Sequence, residues 1–342
     1  MTPKRHVIPV FVPHLGCPND CVFCNQHRIS GRLEPATPAT VRSVFENVPD
    51  IAGASIKQLA FYGGSFTAIP VPAQEALLQA AQPFILKYEN ASLRISTRPD
   101  CIDEETLRRL KRHGVRTIEL GTQSMSSDVL TAAGRGHTAQ DTIDASHLIK
   151  QYGFELILQM MTGLPGDSPE KSMDTAEKLI ALQPDSVRIY PTVVIRDTRL
   201  HDMWMKGEYK EHTVEDAVSL CAAIYELFEK ARIPIIRLGL NPTEALSGGY
   251  VVCGAYHPAL GELVLSRVYL NRARLLLKDT KNVENMKRVT LAVAPGRVSA
   301  MTGHKRSNII ALQREFGLAA VNVAAADVNR QEIVIMNIDN DT

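Results

Sequence analysis

The sequence predicts an α/β fold, repeated βα units around a parallel sheet, followed by a smaller α+β module. Strand-length apolar runs recur at 7–12, 57–62, 92–96, 116–121, 154–160, 186–191 and 233–238. The stretches between them, 38–48, 72–89, 103–113, 138–152, 169–182 and 213–231, set apolar residues three and four apart among helix formers, and that alternation marks βα units. The runs are nearly continuous in apolar residues, as in FELILQM at 154–160, which suits a sheet covered on both faces. Next, ALGELVLSRVYLNRARLLLKDT at 259–280 reads as one long basic amphipathic helix. A strand RVTLAV at 288–293 opens a second unit, in which SNIIALQREFG looks helical and AVNVA and EIVIMNI look like strands. These shifts place a domain boundary near 283, dividing the chain into 1–282 and 283–342.

The chain of 342 residues is 45% apolar, 22% charged and 6% aromatic, which excludes disorder as the main state. Thirty-eight lysines and arginines against thirty-seven carboxylates leave a net charge of +1, so the protein is not uniformly basic. The N-terminal apolar run is short and broken by prolines, unlike a membrane span or a secretory leader. A cytoplasmic protein without a membrane segment is expected.

Six cysteines in a chain this long do not make a disulfide scaffold, and three of them crowd together. GCPNDCVFCNQH places Cys17, Cys21 and Cys24 in the spacing C-x3-C-x2-C just after the first strand. Three thiolates on one short loop can ligate three irons of a 4Fe-4S cluster and leave the fourth without a protein ligand. That open iron can chelate the amino and carboxylate groups of S-adenosylmethionine. An electron from the reduced cluster then breaks a carbon–sulfur bond and releases a 5'-deoxyadenosyl radical. A structural zinc is the other reading, with His27 or His14 as fourth ligand.

The motifs that follow resemble the radical S-adenosylmethionine (radical SAM) superfamily, and more narrowly the radical domain of the Elongator catalytic subunit, from about residue 6 to about 270. FYGGSFTAIP at 61–70 is similar to the family's Gly-Gly segment, which implies that Tyr62, Gly63, Gly64 and Ser65 meet the methionyl amino group. Glycine permits the close backbone approach this requires. STRPD at 96–100 resembles an ETRPD segment, with Thr97 and Arg98 retained and Ser96 where a glutamate is usual. GTQSM at 121–125, AAGRGHT at 132–138 and LQMMTGLPGD at 158–167 resemble segments that place Gln123, Arg135 and Gln159 around the cofactor. RIYPTVVIRDTRLHDMW at 188–204 and CGAYHPALGELV at 253–264 are similar to stretches particular to the Elongator branch. Cys101 and Cys221 read as small buried hydrophobes, whereas Cys253, Tyr256 and His257 are candidates to donate a hydrogen atom or contact substrate. The resemblance implies a partial (β/α)6 TIM-like barrel with its chemistry at the carboxyl ends of the strands, where parallel sheets bind ligands. It also implies an electron donor such as flavodoxin or ferredoxin, and RNA such as tRNA as substrate. The acetyltransferase domain and cysteine-rich zinc segment of the Elongator subunit are not expected here, since the sequence stops where that domain would begin and Cys253 is its last cysteine.

The segment from 288 looks like a KH RNA-binding module, with Gly303, His304, Lys305 and Arg306 in place of the GxxG loop that clamps four nucleotides. Arg306 replaces the second glycine, and it and Arg297 are candidate phosphate contacts. From 267 to 314, eleven lysines and arginines stand against two carboxylates, a charge footprint suited to phosphate. The leading expectation is therefore a radical SAM enzyme that modifies RNA. One alternative keeps the enzyme but takes a small metabolite or tetrapyrrole as substrate, as in the oxygen-independent coproporphyrinogen oxidases. The other is a non-catalytic RNA-binding protein with a structural zinc.

Overall fold

The computed structural model describes residues 5–12, 17, 19–25, 36–46, 56–241, 246–280 and 286–340. The chain divides into two compact units, Met1–Thr213 with Leu227–Tyr256, and Val214–Glu226 with His257–Thr342.

The first unit is a parallel sheet with helical crossovers. Its strands are β1 (Arg5–Phe11), β2 (Ile56–Tyr62), β3 (Ser92–Thr97), β4 (Val115–Gln123), β5 (Glu155–Thr162), β6 (Ser186–Pro191) and β8 (Ile235–Leu238), seven in sequential order with every pairing parallel. The seventh strand extends the six expected βα units, and its segment is already among the apolar runs. Connecting helices are α1 (Pro38–Glu46), α2 (Val71–Ala80), α3 (Gln82–Lys87), α4 (Glu104–Arg112), α5 (Ser127–Ala132), α6 (Ala139–Gln151), α7 (Pro169–Ala181) and α8 (Arg199–Met205). Their starts are chemically marked. Asp103 accepts from the Thr106 amide, Thr138 and Asp141 form a reciprocal capping box, and Ser168 caps α7 ahead of Pro169. A two-stranded ribbon of β7 (Val193–Ile195) and β9 (Val251–Gly254) completes the unit.

Alternation along the strands decides what each face does. Leu93 and Ile95 on β3, Ile118 and Leu120 on β4, Leu156 and Leu158 on β5, and Val187 and Ile189 on β6 are fully buried. The residues between them, Ser96, Glu119, Gly121, Gln159, Arg188 and Tyr190, line a cavity on the opposite face. One face thus carries most of the packing, and the other mixes polar with apolar side chains, Ile157 among them. On the edge strand β1, Val12 N donates to Tyr62 O while Phe11 O accepts from Ala36 N, so Pro9, two residues before Phe11, turns its missing N–H away from β2.

The second unit pairs β10 (Met286–Val293) in parallel with β11 (Ala320–Ala325) and antiparallel with β12 (Ile333–Asn340), in the order β11-β10-β12. Between β10 and β11 the chain forms α11 (Val298–Thr302) and α12 (Ser307–Phe316). The first turns of α9 (Val214–Lys230) and all of α10 (Leu260–Lys278) belong to this unit. Helix α10 enters the core of the small sheet through Tyr269, Leu270, Ala273 and Leu277. The compact division thus falls at 256/257, whereas the sequence reading put a boundary near 283. An apolar stripe on a helix goes wherever it finds a partner, and here that partner is the strand that follows. Three of the basic residues of α10 are matched by carboxylates of the same unit, Arg267 with Glu215, Arg272 with Glu226 and Arg274 with Glu315. The net charge of the segment therefore overstates the cations offered by this helix. No helix among the described residues is long and apolar enough to cross a membrane.

Asn308, 3% exposed, ties this unit together: its amide nitrogen lies 2.9 Å from Ser266 O, 3.1 Å from Ala300 O and 3.2 Å from Met301 O. Two of those acceptors are terminal carbonyls of α11, which no backbone N–H of that short helix reaches. Replacing Asn308 by alanine should cost about 1–3 kcal/mol, the usual penalty for unpaired buried acceptors. Hydrogen exchange of the α12 amides should register the loss as faster opening, with the amides of β4 unaffected.

Candidate functional site

A cavity of about 440 Å³ lies over the polar face of the seven-stranded sheet. Cys17, Cys21, Cys24, Tyr62, Gly63, Gly64, Ser65, Thr97, Arg98, Gln123, Arg135 and Gln159 all line it. The sequence brings these together because each lies at or just beyond the carboxyl end of a strand, or on a loop held there.

The cysteine loop is fixed from both sides. Val22 N donates to Ala133 O at 3.1 Å, Leu200 N donates to Val22 O at 2.7 Å, and Asn19 Nδ2 donates to Arg135 O at 3.3 Å. Val22 and Phe23 pack against Val194, Leu200, Tyr209, Trp204 and Cys253. Across the loop, Gly136 has φ +71°, and a Cβ there would meet Asn19 Nδ2 at 2.4 Å. The glycines of AAGRGHT therefore admit the cysteine loop as well as turning the chain.

The Gly-Gly segment and STRPD are joined by hydroxyls. Thr97 Oγ1 lies 2.9 Å from Ser65 Oγ and 2.6 Å from Thr67 Oγ1, and Arg98 N donates to Ser65 Oγ at 3.3 Å. Arg98 grips Asp100 with two parallel bonds of 2.9 and 2.8 Å. Gly63 has φ +94°, open to glycine and strained for other residues. Gln123 follows an irregularity in the β4 register and adopts φ +65°, with Gln159 Nε2 donating to its Oε1 at 3.2 Å. Arg135 donates to Gly121 O and reaches Cys21 Sγ at 3.4 Å.

The donor set fits an iron–sulfur cluster in kind: three thiols on one cavity wall with a guanidinium beside Cys21 to offset thiolate charge. Among the described residues no three His, Cys, Asp or Glu side chains already converge on one point. Desolvation pushes the Cys17 thiol up, with the Ser65 backbone and the Arg135 and Arg98 cations acting the other way. Cys17, Cys21 and Cys24 are the residues that would hold the cluster. His14 and His27, the alternative zinc ligands, lie outside the described residues.

Cys253, Tyr256 and His257 are not among the cavity-lining residues. The ribbon explains the first two. Val193 and Ile195 line the cavity, so Val194 and its register partner Cys253 turn to the other side and pack against the cysteine loop. Burial pushes the Cys253 thiol up to about 11, which suits packing better than reactivity. Tyr256 packs with Val193, Ile195 and Leu246. His257 is exposed ahead of α10, its Nδ1 accepting from Ala259 N at 3.1 Å. Glu119 lies outside the motifs, and Arg188 and Tyr190 in the lining and His137 behind it lie within motifs that did not single them out.

His137 is buried, with Nε2–H donating to Thr122 O at 3.2 Å and Nδ1 without a partner. Burial, reinforced by the Arg135 and Arg98 cations, pushes its pKa down to about 4. The unfolded chain binds this proton near pH 6.5, so the stability of the neutral ring is complete above that pH and is lost as pH falls toward about 4. Denaturant unfolding should show stability falling between these limits, by at most about 1.4 kcal/mol per pH unit. His137→Gln should flatten that slope.

Comparisons with known proteins agree with this architecture. A family model described as "Radical SAM superfamily" matches residues 11–179, and one described as "Radical_SAM C-terminal domain" matches 184–269. A tRNA uridine(34) acetyltransferase of Methanocaldococcus infernus is 27% identical over 300 residues, covering 75% of this chain and 55% of that protein. Human Elongator complex protein 3 is 29% identical, over 63% of this chain and 43% of that one. The chain thus spans about half the length of these relatives. An uncharacterized protein of Methanocaldococcus jannaschii is 31% identical, covering 65% of this chain and 72% of its own. Among solved structures, archaeal Elp3 of Methanocaldococcus infernus matches in fold with a TM-score of 0.62 at 24% identity, over 80% of this chain and 64% of that one. The two matched models, together spanning most of the chain, and the 31% identical Methanocaldococcus jannaschii relative show that the chain belongs to the radical SAM superfamily, enzymes that bind a 4Fe-4S cluster and S-adenosylmethionine.

Proposed function

We propose that this radical SAM enzyme modifies RNA, with tRNA as the favoured substrate. The observation that carries the reading is the convergence on one cavity of the cysteine loop, the Gly63–Ser65 segment, Gln123, Arg135 and Gln159. In the bound state the cluster supplies the electron that cleaves S-adenosylmethionine to a 5'-deoxyadenosyl radical, and a flavodoxin or ferredoxin is the proposed external source of that electron. The chain's own residues position and exclude. Cys17, Cys21 and Cys24 would hold the metal, the Gly63–Gly64 backbone would take the methionyl amino group, and Arg135 would offset the carboxylate charge. Gln123 and Gln159, already hydrogen-bonded to each other, face the ribose. Val193, Ile195 and Leu246 wall the cavity with apolar surface that keeps water from a reactive radical.

RNA is favoured by the relatives named for tRNA modification and by the turn between α11 and α12. There Gly303, Lys305 and Arg306 take φ of +77°, +49° and +64°, and His304, Lys305 and Arg306 are exposed. Two consecutive non-glycine residues in the left-handed region form a strained turn. It sets two cations side by side over the start of a helix, a geometry suited to backbone phosphate. Arg297, at the N-terminus of α11, is a further proposed contact.

Anaerobically reconstituted protein should hold about four irons per chain and release deoxyadenosine from S-adenosylmethionine and dithionite. The triple alanine variant of Cys17, Cys21 and Cys24 should do neither. Zinc with no cleavage in either protein would overturn the enzymatic reading. Binding of tRNA should weaken steeply between about 50 and 200 mM salt, and Lys305→Ala with Arg306→Ala should make that salt dependence shallower by about two counterions. Equal binding by the double variant at both salt concentrations would remove the turn from the RNA interface.

A further inference from the structure

The cofactor residues occupy the strand ends, and a second layer lies one step further down the lumen. Arg94 of β3, Glu119 of β4 and Arg188 of β6 form a buried ion network, with side-chain exposures of 3%, 3% and 17%. Each carboxylate oxygen is taken by a different guanidinium: Arg94 Nη2 donates to Oε2, and Arg188 Nη1 donates to Oε1 at 3.0 Å. The Tyr62 ring lies 5.6 Å from the Arg94 guanidinium and 5.2 Å from that of Arg188, whose Nη2 also faces the Tyr62 hydroxyl at 3.4 Å.

Two cations share one carboxylate, so the layer keeps a surplus positive charge. Its surroundings make that costly. Phe11, Val193, Ile195, Leu240 and Leu246 line the same cavity, and an uncompensated charge in such a setting is strongly disfavoured. Cation–π contact with Tyr62 offsets only part of this. Donors are also left over: Arg188 Nε, Arg94 Nε and Ser96 Oγ are buried with no partner. Ser96 stands opposite Glu119 in the β3–β4 register, and Tyr190 shares the lumen face of β6 with Arg188 two residues before it. A packing role alone would not leave unpaired donors and a surplus cation on a cavity wall.

We propose that this lumen floor is a subsite for the anionic group, carboxylate or phosphate, of a small second substrate, with Arg188 as its cation and Ser96 and Tyr190 as hydroxyl donors. The assignment rests on the radical SAM reading only in taking the strand-end residues for the cofactor. Arg94 and Glu119 act as positioning residues that hold the Arg188 guanidinium against the Tyr62 ring. The Tyr190 phenol, pushed up to about 12 by burial, stays protonated and able to donate at any physiological pH.

The test is equilibrium dialysis of radiolabelled acetate, malonate and inorganic phosphate against the anaerobically reconstituted full chain. Saturable binding of at least one probe at about one per chain is expected. Arg188→Gln should weaken it about tenfold or more, the loss expected of a charge-assisted hydrogen bond, and Arg188→Lys should recover part. Tyr190→Phe should weaken it severalfold without changing the packed volume, and it decides the matter if Arg188→Gln fails to fold. Preference for malonate or acetate assigns the subsite to a carboxylic acid, and preference for phosphate assigns it to a nucleotide or phosphoester; either upholds it. No saturable binding by the wild type, or affinities unchanged in both variants, overturns it. Iron content and deoxyadenosine release on the same preparations keep the two readings apart. Intact cleavage with no anion binding sinks the subsite alone, and absent iron and cleavage sink the cofactor reading.

Discussion

A strand has two faces, and in this sheet the helix-covered one carries the packing. Leu93 and Ile95, Ile118 and Leu120, Leu156 and Leu158, Val187 and Ile189 are fully buried in register across four adjacent strands. Because they secure the sheet, the alternate positions are released from packing and hold Ser96, Glu119, Gln159, Arg188 and Tyr190. A closed barrel of this type fills its interior with bulky branched side chains. Here the interior holds a cavity in which charged and hydroxyl side chains stand among apolar ones, and the site depends on that exchange.

The second constraint is local. The short loop carrying three thiols holds neither helix nor strand across its described residues. It gains its position from neighbours far along the chain, from the Ala133 carbonyl, the Leu200 amide and an apolar patch spread over α8 and the β7–β9 ribbon. The Elongator-like stretches at 188–204 and 253–264 therefore act on the site by holding the cysteine loop. The first of them also lines the cavity, with Arg188, Tyr190, Pro191, Val193 and Ile195, whereas no residue of the second does.

Much of this was legible in the sequence. The apolar runs located all seven strands of the sheet, and the five longer crossover helices of the first unit, with α9 and α10, fall where apolar spacing put them. The ribbon strands, three and four residues long, are too short to show a period. That gap misdirected the reading of Cys253, because the face it occupies follows from its pairing with Val194. The lumen charges were overlooked for a different reason. In SLRIST and RIYP the arginines sit between apolar neighbours, and a run scored by overall apolarity hides a polar residue at every second place. Reading each strand as two interleaved rows would have set Arg94 beside Ser96 and Arg188 beside Tyr190. The charge of the C-terminal segment was countable, but its partners Glu215 and Glu226 lie some fifty residues upstream, beyond the reach of any local count.

Pro9 bears on how an open sheet stays open. Among the described residues strand β1 ends the order of the sheet, and a sheet edge is a template on which another chain can add a strand. At Pro9 the outward-facing backbone position has no hydrogen to offer, so a docking strand would lose a rung in the middle of its ladder. Val7, Pro9 and Phe11, alternate residues of this strand, also line the cavity, so the edge that Pro9 blunts is a wall of the site as well.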